Sequence, residues 1–428
     1  VYAGEPDFNF FDTKSDQIPL LGEPRVNDVW NIEATALWRS GEADYQQAWP
    51  TFTGAGQSRY LNQYFGAPLF TETTVARTFY AADNTSEQYA LDLRARADFT
   101  TGSLTHNMLM GAQYQDVETD SNTAYYLGGG VLSGDFSYVF DLANPVYGIY
   151  SDGTPQQVQD LGLYVSDQIA LDDWRFTLGL RYDQVENDTG AVVQDDDAVS
   201  TSFGVLYRFD NGLAPYASYS ESFEPVIGTD LAGNQLDPEE ARQYEFGLKY
   251  EPQSFPGLIT LAYYDIEISN LPNPNALPND AAQQQGISTL RGLELEARMQ
   301  LDNVFLQFAA STIDAEDPDG FKLPGQPNGT ASAWATWRPE GALNGFRIGG
   351  GIRYVGESVA EDGTVRYVTP DYTLGDLMIG YEWDRWDFQI NARNIADEEY
   401  LTSCLTRGDC FPGLRRTVVA RLAYEFGS

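Results

Sequence analysis

The chain has 428 residues, of which 63 are acidic and 25 basic, so its net charge is −38 at pH 7. Such a balance excludes a nucleic-acid-binding protein, because affinity for phosphate backbones depends on lysine and arginine. No apolar run approaches the roughly 20 residues that a membrane-spanning helix requires.

The N-terminal part predicts a loop over residues 1–27, a strand over 28–39 and a second strand over about 43–52. A long loop follows and ends near residue 86. From there to residue 426, fifteen segments alternate apolar and polar residues, as 174–183 and 293–301 do most regularly. Alternation with a period of two gives an extended strand one apolar and one polar face.

Aromatic residues make up 14% of the chain, and several lie near predicted strand ends. Examples are Trp174, Trp337, Trp383, Trp386 and Phe426. Amphipathic rings at strand ends favour a membrane interface. The alternative is an ordinary soluble β protein with aromatic residues in its core.

Short and long connections alternate along the whole series of strands. The short ones fall at 100–103, 171–173, 210–213, 302–303 and 384–385. The long ones fall at 118–157, 186–199, 224–240, 269–288, 315–329, 357–371 and 397–415. This alternation is typical of outer-membrane barrels, which have short periplasmic turns and long extracellular loops. The sequence therefore predicts an all-β fold, a transmembrane antiparallel β-barrel with about 17 strands. Because single-chain bacterial barrels have even strand numbers, we expect an odd number of strands to precede residue 1.

No catalytic or metal-binding constellation emerges from the residue types. His106 is the only histidine, lies just past a predicted short turn and is expected to be structural or solvated. Glycines 128–130 lack the lysine and helix of a phosphate-binding loop. Cys404 and Cys410 cannot complete a zinc site alone, and in an oxidising compartment we expect a disulfide between them. The acidic loops, such as 195–197 and Glu316 to Asp319, are either a solvated surface or a field that attracts cations.

Several segments resemble TonB-dependent siderophore receptors, and their order along the chain agrees with that family. They are 162–168 (GLYVSDQ), 216–225 (YASYSESFEP), 244–249 (YEFGLK), 291–296 (RGLELE), 351–356 (GIRYVG) and 394–400 (NIADEEY). The last strand ends on an aromatic, Phe426. Within the family, the loop 403–411 is similar to that of ferrichrome-type hydroxamate receptors, since its cysteine pair has the same spacing directly before the last strand.

The resemblance implies a 22-stranded barrel whose N-terminal plug domain and first strands precede residue 1, so that 1–428 is a partial barrel. It also implies ligand contacts from extracellular loops. Tyr2, Phe79 and Tyr126 match the family's aromatic contacts, with Tyr80 and Tyr125 adjacent, and Arg77 matches as well. Leu405 stands where the family has an aromatic after the first cysteine, and Phe411 follows the second. The departure at Leu405 leaves the exact ligand open.

By this resemblance, the protein is a monomeric, multi-pass receptor of the bacterial outer membrane that imports a ferric siderophore, most simply a hydroxamate. Its partners would be the TonB–ExbB–ExbD energy complex, through the N-terminal region, and membrane lipid with lipopolysaccharide. No enzyme activity, resident cofactor or nucleic acid is expected. The alternatives are a passive porin-like channel, an outer-membrane hydrolase, and an importer of a catecholate siderophore, haem or cobalamin.

Overall fold

A computed structural model describes residues 8–50, 74–132, 149–151, 155–227, 230, 232, 234–272, 284, 286–406 and 410–426. At 49–50, 74–79, 125–132 and 149–151 the description covers the backbone only.

The described residues are almost entirely β-structure. The strands are β1 Phe10–Gly22, β2 Trp30–Pro50, β3 Thr74–Thr101, β4 Leu104–Leu132, β5 Ile149–Ser151, β6 Gln156–Leu171, β7 Trp174–Asp188, β8 Val193–Tyr207, β9 Leu213–Glu224, β10 Glu239–Tyr250 and β11 Gly257–Ser269. They continue with β12 Ile287–Leu301, β13 Val304–Glu316, β14 Gly329–Trp337, β15 Phe346–Val355, β16 Ser358–Glu361, β17 Arg366–Thr369, β18 Tyr372–Trp383, β19 Trp386–Arg393, β20 Leu401–Cys404, β21 Cys410–Pro412 and β22 Thr417–Tyr424. A three-residue 3-10 helix lies at Gly341–Leu343. Across the described residues, none of the helical structure is long and apolar enough to cross a membrane.

The chain divides into two compact units, and each is described separately. The first comprises the described residues of Val1–Leu171, Thr177–Ser202 and Phe223–Pro238. Its antiparallel ladders join β1 to β2, β2 to β3, β3 to β4, and β4 to both β5 and β6. The second comprises those of Asp172–Phe176, Phe203–Ser222 and Glu239–Ser428. There β10 to β15, β18, β19 and β22 pair in that order, again antiparallel.

The predicted all-β antiparallel architecture is confirmed, and tight hairpins occupy predicted short connections. Thr101 pairs with Leu104, Leu301 with Val304, and Trp383 with Trp386, so only two residues lie between each pair of strands. The first residue of each turn has a positive φ: 63° at Gly102, 50° at Asp302 and 52° at Asp384. Glycine and aspartate tolerate this left-handed region better than most residues.

Two predictions near the N-terminus are wrong. Residues 10–22, expected within a loop, form β1, and the expected strands 28–39 and 43–52 are one strand, β2. Ser40 and Gly41 stay extended because they pair on one side with Asp16 and Ser15 and on the other with Glu87 and Ser86. Two ladders outweigh the local turn preference of a Ser-Gly pair.

Three predicted loops are too long. Strand β3 already begins at Thr74, where a loop was expected up to about residue 86, and β4 continues to Leu132, past the predicted loop start at 118. The third is the predicted loop 186–199. Strand β7 continues to Asp188 and β8 begins at Val193, so 195–197 lie in a strand rather than in a loop. Within the described residues, the main sheet has 18 strands, one of which is the three-residue β5.

One face of each unit carries large apolar side chains that are exposed, and we call it the apolar face. In the first unit these residues include Leu91, Leu93, Met110, Leu161, Leu163, Val165, Leu178 and Leu180. In the second they include Leu261, Leu293, Ile348, Ile352, Leu377, Ile379 and Leu422. A soluble protein of this kind would bury such a face, whereas hydrocarbon lipid is a suitable solvent for it.

Aromatic rings border the apolar face. In the first unit Trp38 pairs with Tyr89 towards the long loops, and Phe99 lies ten residues further along β3, next to the short turn. Ten steps of about 3.3 Å at a strand tilt of about 40° span a height of about 25 Å, which is the height of the lipid band in outer-membrane barrels. In the second unit six rings form a continuous row near the short turns: Phe346, Tyr381, Trp383, Trp386, Tyr424 and Phe426.

The opposite face, here the polar face, carries ion pairs and tyrosines. In the first unit Arg96 pairs with Glu33 at 3.0 Å and Arg181 with Asp183 at 2.6 Å, while the Tyr164 hydroxyl donates to Asp92 at 2.8 Å. The polar face expected from the alternation is therefore present.

Tyrosines of the polar face lie directly over glycines of the neighbouring strand. Tyr264 is the cross-strand partner of Gly292, and a Cβ at Gly292 would lie 2.5 Å from its hydroxyl oxygen and 2.8 Å from Cζ. Tyr164 covers Gly111 in the same way, with its Cζ and hydroxyl oxygen 2.5 Å from the Cβ position. Only glycine allows the ring to lie this close to the strand.

Candidate ligand-binding site

The strand register brings together two of the predicted ligand-binding segments in the first unit. Phe79 is the cross-strand partner of Tyr126, and Tyr80 is the partner of Tyr125. Arg77 lies opposite Pro50. Tyr2 lies outside the described residues. The register therefore places these two segments side by side, and their contact with a ligand stays a prediction.

Three aromatic rings form a row on the polar face of the first unit, at its long-loop end. The ring centroids of Phe11 and Tyr45 are 5.5 Å apart, and those of Tyr45 and Tyr80 are 5.6 Å apart. Phe11 is 65% exposed. We call these three residues the aromatic wall. Each comes from a different strand, because β2 pairs with both β1 and β3.

Tyr80 is the one member of the aromatic wall that was predicted from the sequence as a ligand contact, whereas Phe11 and Tyr45 were not. The predicted contacts came from expected loops, and Tyr45 lies in a strand. The signal in the sequence was the two-residue period of the strand, which places Tyr45 on the same face as Ala43 and Gln47.

A disulfide-linked hairpin carries the other predicted contacts, in the second unit. Cys404 and Cys410 are bonded, as predicted, and close the hairpin of β20 and β21. Cys404 is buried, and its N–H donates to Thr369 Oγ1 at 2.9 Å, which fixes the hairpin to β17. Leu405 is half-buried, while Phe411 is 46% exposed. Of these two, Phe411 therefore offers the larger apolar surface to a ligand.

Removing this disulfide should loosen the hairpin without unfolding the strands. For the variant with both cysteines changed to alanine, the chain-entropy relation gives a loss of about 2 kcal/mol for so short a loop. We expect faster proteolysis within 401–416, measured by limited digestion with mass-spectrometric mapping. Wild-type protein treated with dithiothreitol should show the same cleavage, and equal protection of oxidised and reduced hairpins would contradict this role.

Asn394 holds the base of the hairpin. It is 2% exposed, and its side-chain amide donates to the carbonyls of Glu398 at 2.9 Å and Leu414 at 3.1 Å. Its side-chain oxygen accepts from the N–H of Glu398 at 2.8 Å. The side chain of Asn394 thus joins the segment that enters the hairpin to the segment that leaves it. This gives the first residue of the 394–400 motif a structural role.

A second link at the base is ionic. Arg415 donates from Nη2 to Asp397 at 2.8 Å, and the N–H of Arg416 donates to the same carboxylate at 2.9 Å. The hydrogen bond from the Arg415 side chain, and to a smaller extent that from the Arg416 N–H, holds the pKa of Asp397 well below its ordinary value of 3.8. The carboxylate in turn raises the pKa of Arg415.

The hydrogen bonds of Asp397 at the base of the hairpin should therefore be lost only at low pH. Because the folded-state pKa of Asp397 is lowered, its contribution to stability is complete above its ordinary value of 3.8 and is lost as pH falls through the lower folded-state value. We expect protection of the Arg416 amide from hydrogen exchange to be constant between about pH 7 and pH 5 and to fall below about pH 4. Asp397→Asn should show reduced protection with no such step; a step near neutral pH in the wild type would contradict the assignment.

The acidic loop between β13 and β14 is organised rather than freely solvated. Asp317 accepts from the N–H groups of Asp319 at 3.0 Å and Phe321 at 2.9 Å. Lys322 donates to Asp314 and, at 2.8 Å, to Glu316, and these hydrogen bonds raise the pKa of Lys322, the one to Asp314 most. Over the parts of the chain that the structure describes, no group of three or more histidine, cysteine, aspartate or glutamate side chains is placed to hold a metal ion.

Comparison with known proteins identifies the family. Residues 2–395 match the family described as TonB dependent receptor-like, beta-barrel. The chain belongs to this family. It is accordingly a β-barrel protein of the bacterial outer membrane, and the apolar face is the lipid-facing surface.

Among similar proteins, the ferrioxamine B receptor of Salmonella typhimurium is 30% identical over 451 residues, covering 99% of this chain and 60% of that receptor. The ferrichrome outer membrane transporter/phage receptor of Escherichia coli K12 is 30% identical over 383 residues, covering 82% of this chain and 50% of that protein. The chain thus spans about 60% or less of the length of these relatives. The predicted likeness to TonB-dependent siderophore receptors is confirmed.

Among solved structures, the ferric-catecholate import receptor Fiu of E. coli K12 superposes with a TM-score of 0.80 over 98% of this chain and 65% of that one. At 19% identity this likeness supports the fold alone.

Proposed function

We propose that this chain is the barrel part of a receptor that imports a ferric siderophore, of the hydroxamate class, across the outer membrane. The observation that carries the proposal is the aromatic wall, Phe11, Tyr45 and Tyr80, on the polar face at the long-loop end. Aromatic faces with few polar groups suit a ligand that is compact and only weakly charged.

A ferric hydroxamate complex has these properties. Its iron is already saturated by ligand oxygens, so a receptor needs no metal-binding side chains and recognises the organic shell. The names of the ferrioxamine B and ferrichrome relatives agree with this class. Leu405 gives a smaller apolar contact than an aromatic ring would, so we expect the ligand to depend more on Phe411 and the aromatic wall.

Energy coupling belongs to the same proposal. Import against a gradient would use the TonB–ExbB–ExbD complex acting on a plug domain N-terminal to the barrel, in a monomer surrounded by outer-membrane lipid and lipopolysaccharide. For a signal to reach that complex, the ligand has to bind the coupling-competent state more tightly than the resting state.

The test is equilibrium binding by the full-length receptor, followed by tryptophan fluorescence. Ferrichrome, ferrioxamine, a ferric catecholate, haem and cobalamin are titrated separately. We expect tight binding of a ferric hydroxamate alone. In the Tyr45→Ala, Tyr80→Ala double variant we expect at least a tenfold loss of affinity, or about 1.4 kcal/mol.

The matched control is Tyr114→Ala, because Tyr114 is 40% exposed on the apolar face and should not affect binding. A response to another ligand class alone would overturn the hydroxamate assignment. No response to any of the five would overturn the receptor function in favour of a passive channel.

A further inference from the structure

His106 lies at the centre of a three-residue hydrogen-bonded chain that the receptor function does not use. Its Nδ1 is 2.7 Å from Asp167 Oδ2, and its Nε2 is 2.7 Å from Thr101 Oγ1. The imidazole stacks on Phe99, with ring centroids 4.6 Å apart and planes inclined by 7°. His106 is 9% exposed, which agrees with its predicted structural character and with its place near a short turn.

The order of these groups fixes the direction of the hydrogen bonds. A carboxylate only accepts, so Nδ1 carries the proton and donates to Asp167. In the neutral imidazole Nε2 is then an acceptor, and the Thr101 hydroxyl donates its only hydrogen to it. The Thr101 oxygen is therefore left with its lone pairs available to an external donor, and Thr101 is an exposed residue.

The register places this chain of groups on the apolar face, at the short-turn border of the lipid band. Phe99 is the partner of His106, and Met108 is the partner of Asp167. Two residues further along the same face, Met110 pairs with Val165, and both side chains are exposed. Since Phe99 marks the edge of the band, the hydroxyl of Thr101 lies at the level of lipid headgroups.

Asp167 brings a negative charge to this border. Among the described residues, no lysine or arginine lies within 4 Å of its carboxylate, which contacts the neutral His106 ring through Oδ2, and its buried Oδ1 has no hydrogen-bond donor. Its side chain is 21% exposed. A carboxylate at the edge of hydrocarbon is costly unless a cation or further donors compensate it.

We propose that Thr101, His106 and Asp167 form a binding site for the primary ammonium group of a phospholipid headgroup. The ammonium donates to the Thr101 oxygen, and its positive charge compensates Asp167. Phe99 and the stacked His106 ring supply the apolar floor beneath the headgroup. An ammonium N–H can donate to the acceptor that stays open, the Thr101 oxygen, whereas a phosphate has no donor to offer it.

The same order of hydroxyl, imidazole and carboxylate occurs in the triad of serine hydrolases. Ester hydrolysis also needs donors placed for the developing oxyanion. The described contacts around Thr101 give one hydroxyl acceptor and no such donor pair, so headgroup binding accounts for the geometry more fully than cleavage does.

The test uses the full-length receptor in detergent and native mass spectrometry, with phosphatidylethanolamine, phosphatidylcholine and phosphatidylglycerol of identical acyl chains. We expect phosphatidylethanolamine to be retained at least threefold more than either other lipid. Asp167→Asn and Thr101→Val should each abolish this preference. Glu42→Gln, which changes an exposed carboxylate towards the long-loop end of β2, should keep it.

Equal retention of the three lipids by the wild type would overturn the proposal without any variant, so it does not depend on the variants folding. An unchanged preference in Asp167→Asn would also overturn it. Release of free fatty acid, measured in the same samples, would replace binding with hydrolysis at Thr101. None of these results depends on the identity of the siderophore.

Discussion

Arginine at Leu295 should destabilise the folded receptor by about 2–4 kcal/mol, the cost of a charged side chain facing the middle of the bilayer in a barrel. Leu295 is the cross-strand partner of Leu261, which is 47% exposed on the apolar face. Two residues before it, Leu293 is 49% exposed on the same face. A guanidinium at this position would have no water and no carboxylate to meet it.

Glu296→Arg is the matched control, because the next residue of the strand lies on the polar face opposite Thr260. We expect its unfolding free energy to stay within about 0.5 kcal/mol of the wild type, as for most substitutions away from buried groups. The measurement is denaturant-induced unfolding in lipid vesicles, followed by tryptophan fluorescence. Equal destabilisation by the two substitutions would mean that the assignment of the two faces is wrong.

Asn394→Ala should release the base of the disulfide hairpin. The substitution removes the three hydrogen bonds that the buried Asn394 side chain makes with the carbonyls of Glu398 and Leu414 and the N–H of Glu398. We expect a loss of about 2–4 kcal/mol from these three hydrogen bonds. Alanine at the positive φ of 51° adds about 1 kcal/mol, because its Cβ approaches the following carbonyl.

Asn394→Gly separates the two contributions, since glycine accepts the positive φ but also lacks the side-chain amide. It should be more stable than Asn394→Ala by about 1 kcal/mol and still less stable than the wild type. Calorimetry gives the stability, and siderophore binding reports on the hairpin. If alanine were tolerated as well as asparagine, the side chain of Asn394 would not be what joins the two ends.

The alternation of residue types was sufficient to predict most of the long strands from β3 onward, because lipid on one side and a polar face on the other impose one rule along each strand. The short strands β5, β16, β17, β20 and β21 lie in segments that were expected to be loops. The alternation failed for β1, where Lys14, Asp16 and Pro19 interrupt the pattern. The continuity of β2 depends on partners far away in sequence, which no local pattern reveals.

The candidate site was predictable in part for the same reason. Aromatic loops and the cysteine pair are visible in the sequence, and the disulfide followed from spacing and compartment. The row of Phe11, Tyr45 and Tyr80 was not visible, since it depends on the register of three strands. Likewise, the contact between His106 and Asp167 could not be predicted from the residues near His106. The two residues are 61 positions apart and come together only because β4 pairs with β6.

The tyrosines that cover glycines have a consequence for how each strand finds its alignment. Alternation forbids a slip of one residue, because every side chain would change face, but it permits a slip of two. A slip of two would place Tyr264 opposite Leu290 or Glu294 instead of Gly292, and Tyr164 opposite Leu109 or Gln113 instead of Gly111. At those positions a side chain occupies the space that the ring needs. Each glycine therefore provides space for one tyrosine ring. It disfavours the two-residue register slip that hydrophobic patterning alone would allow.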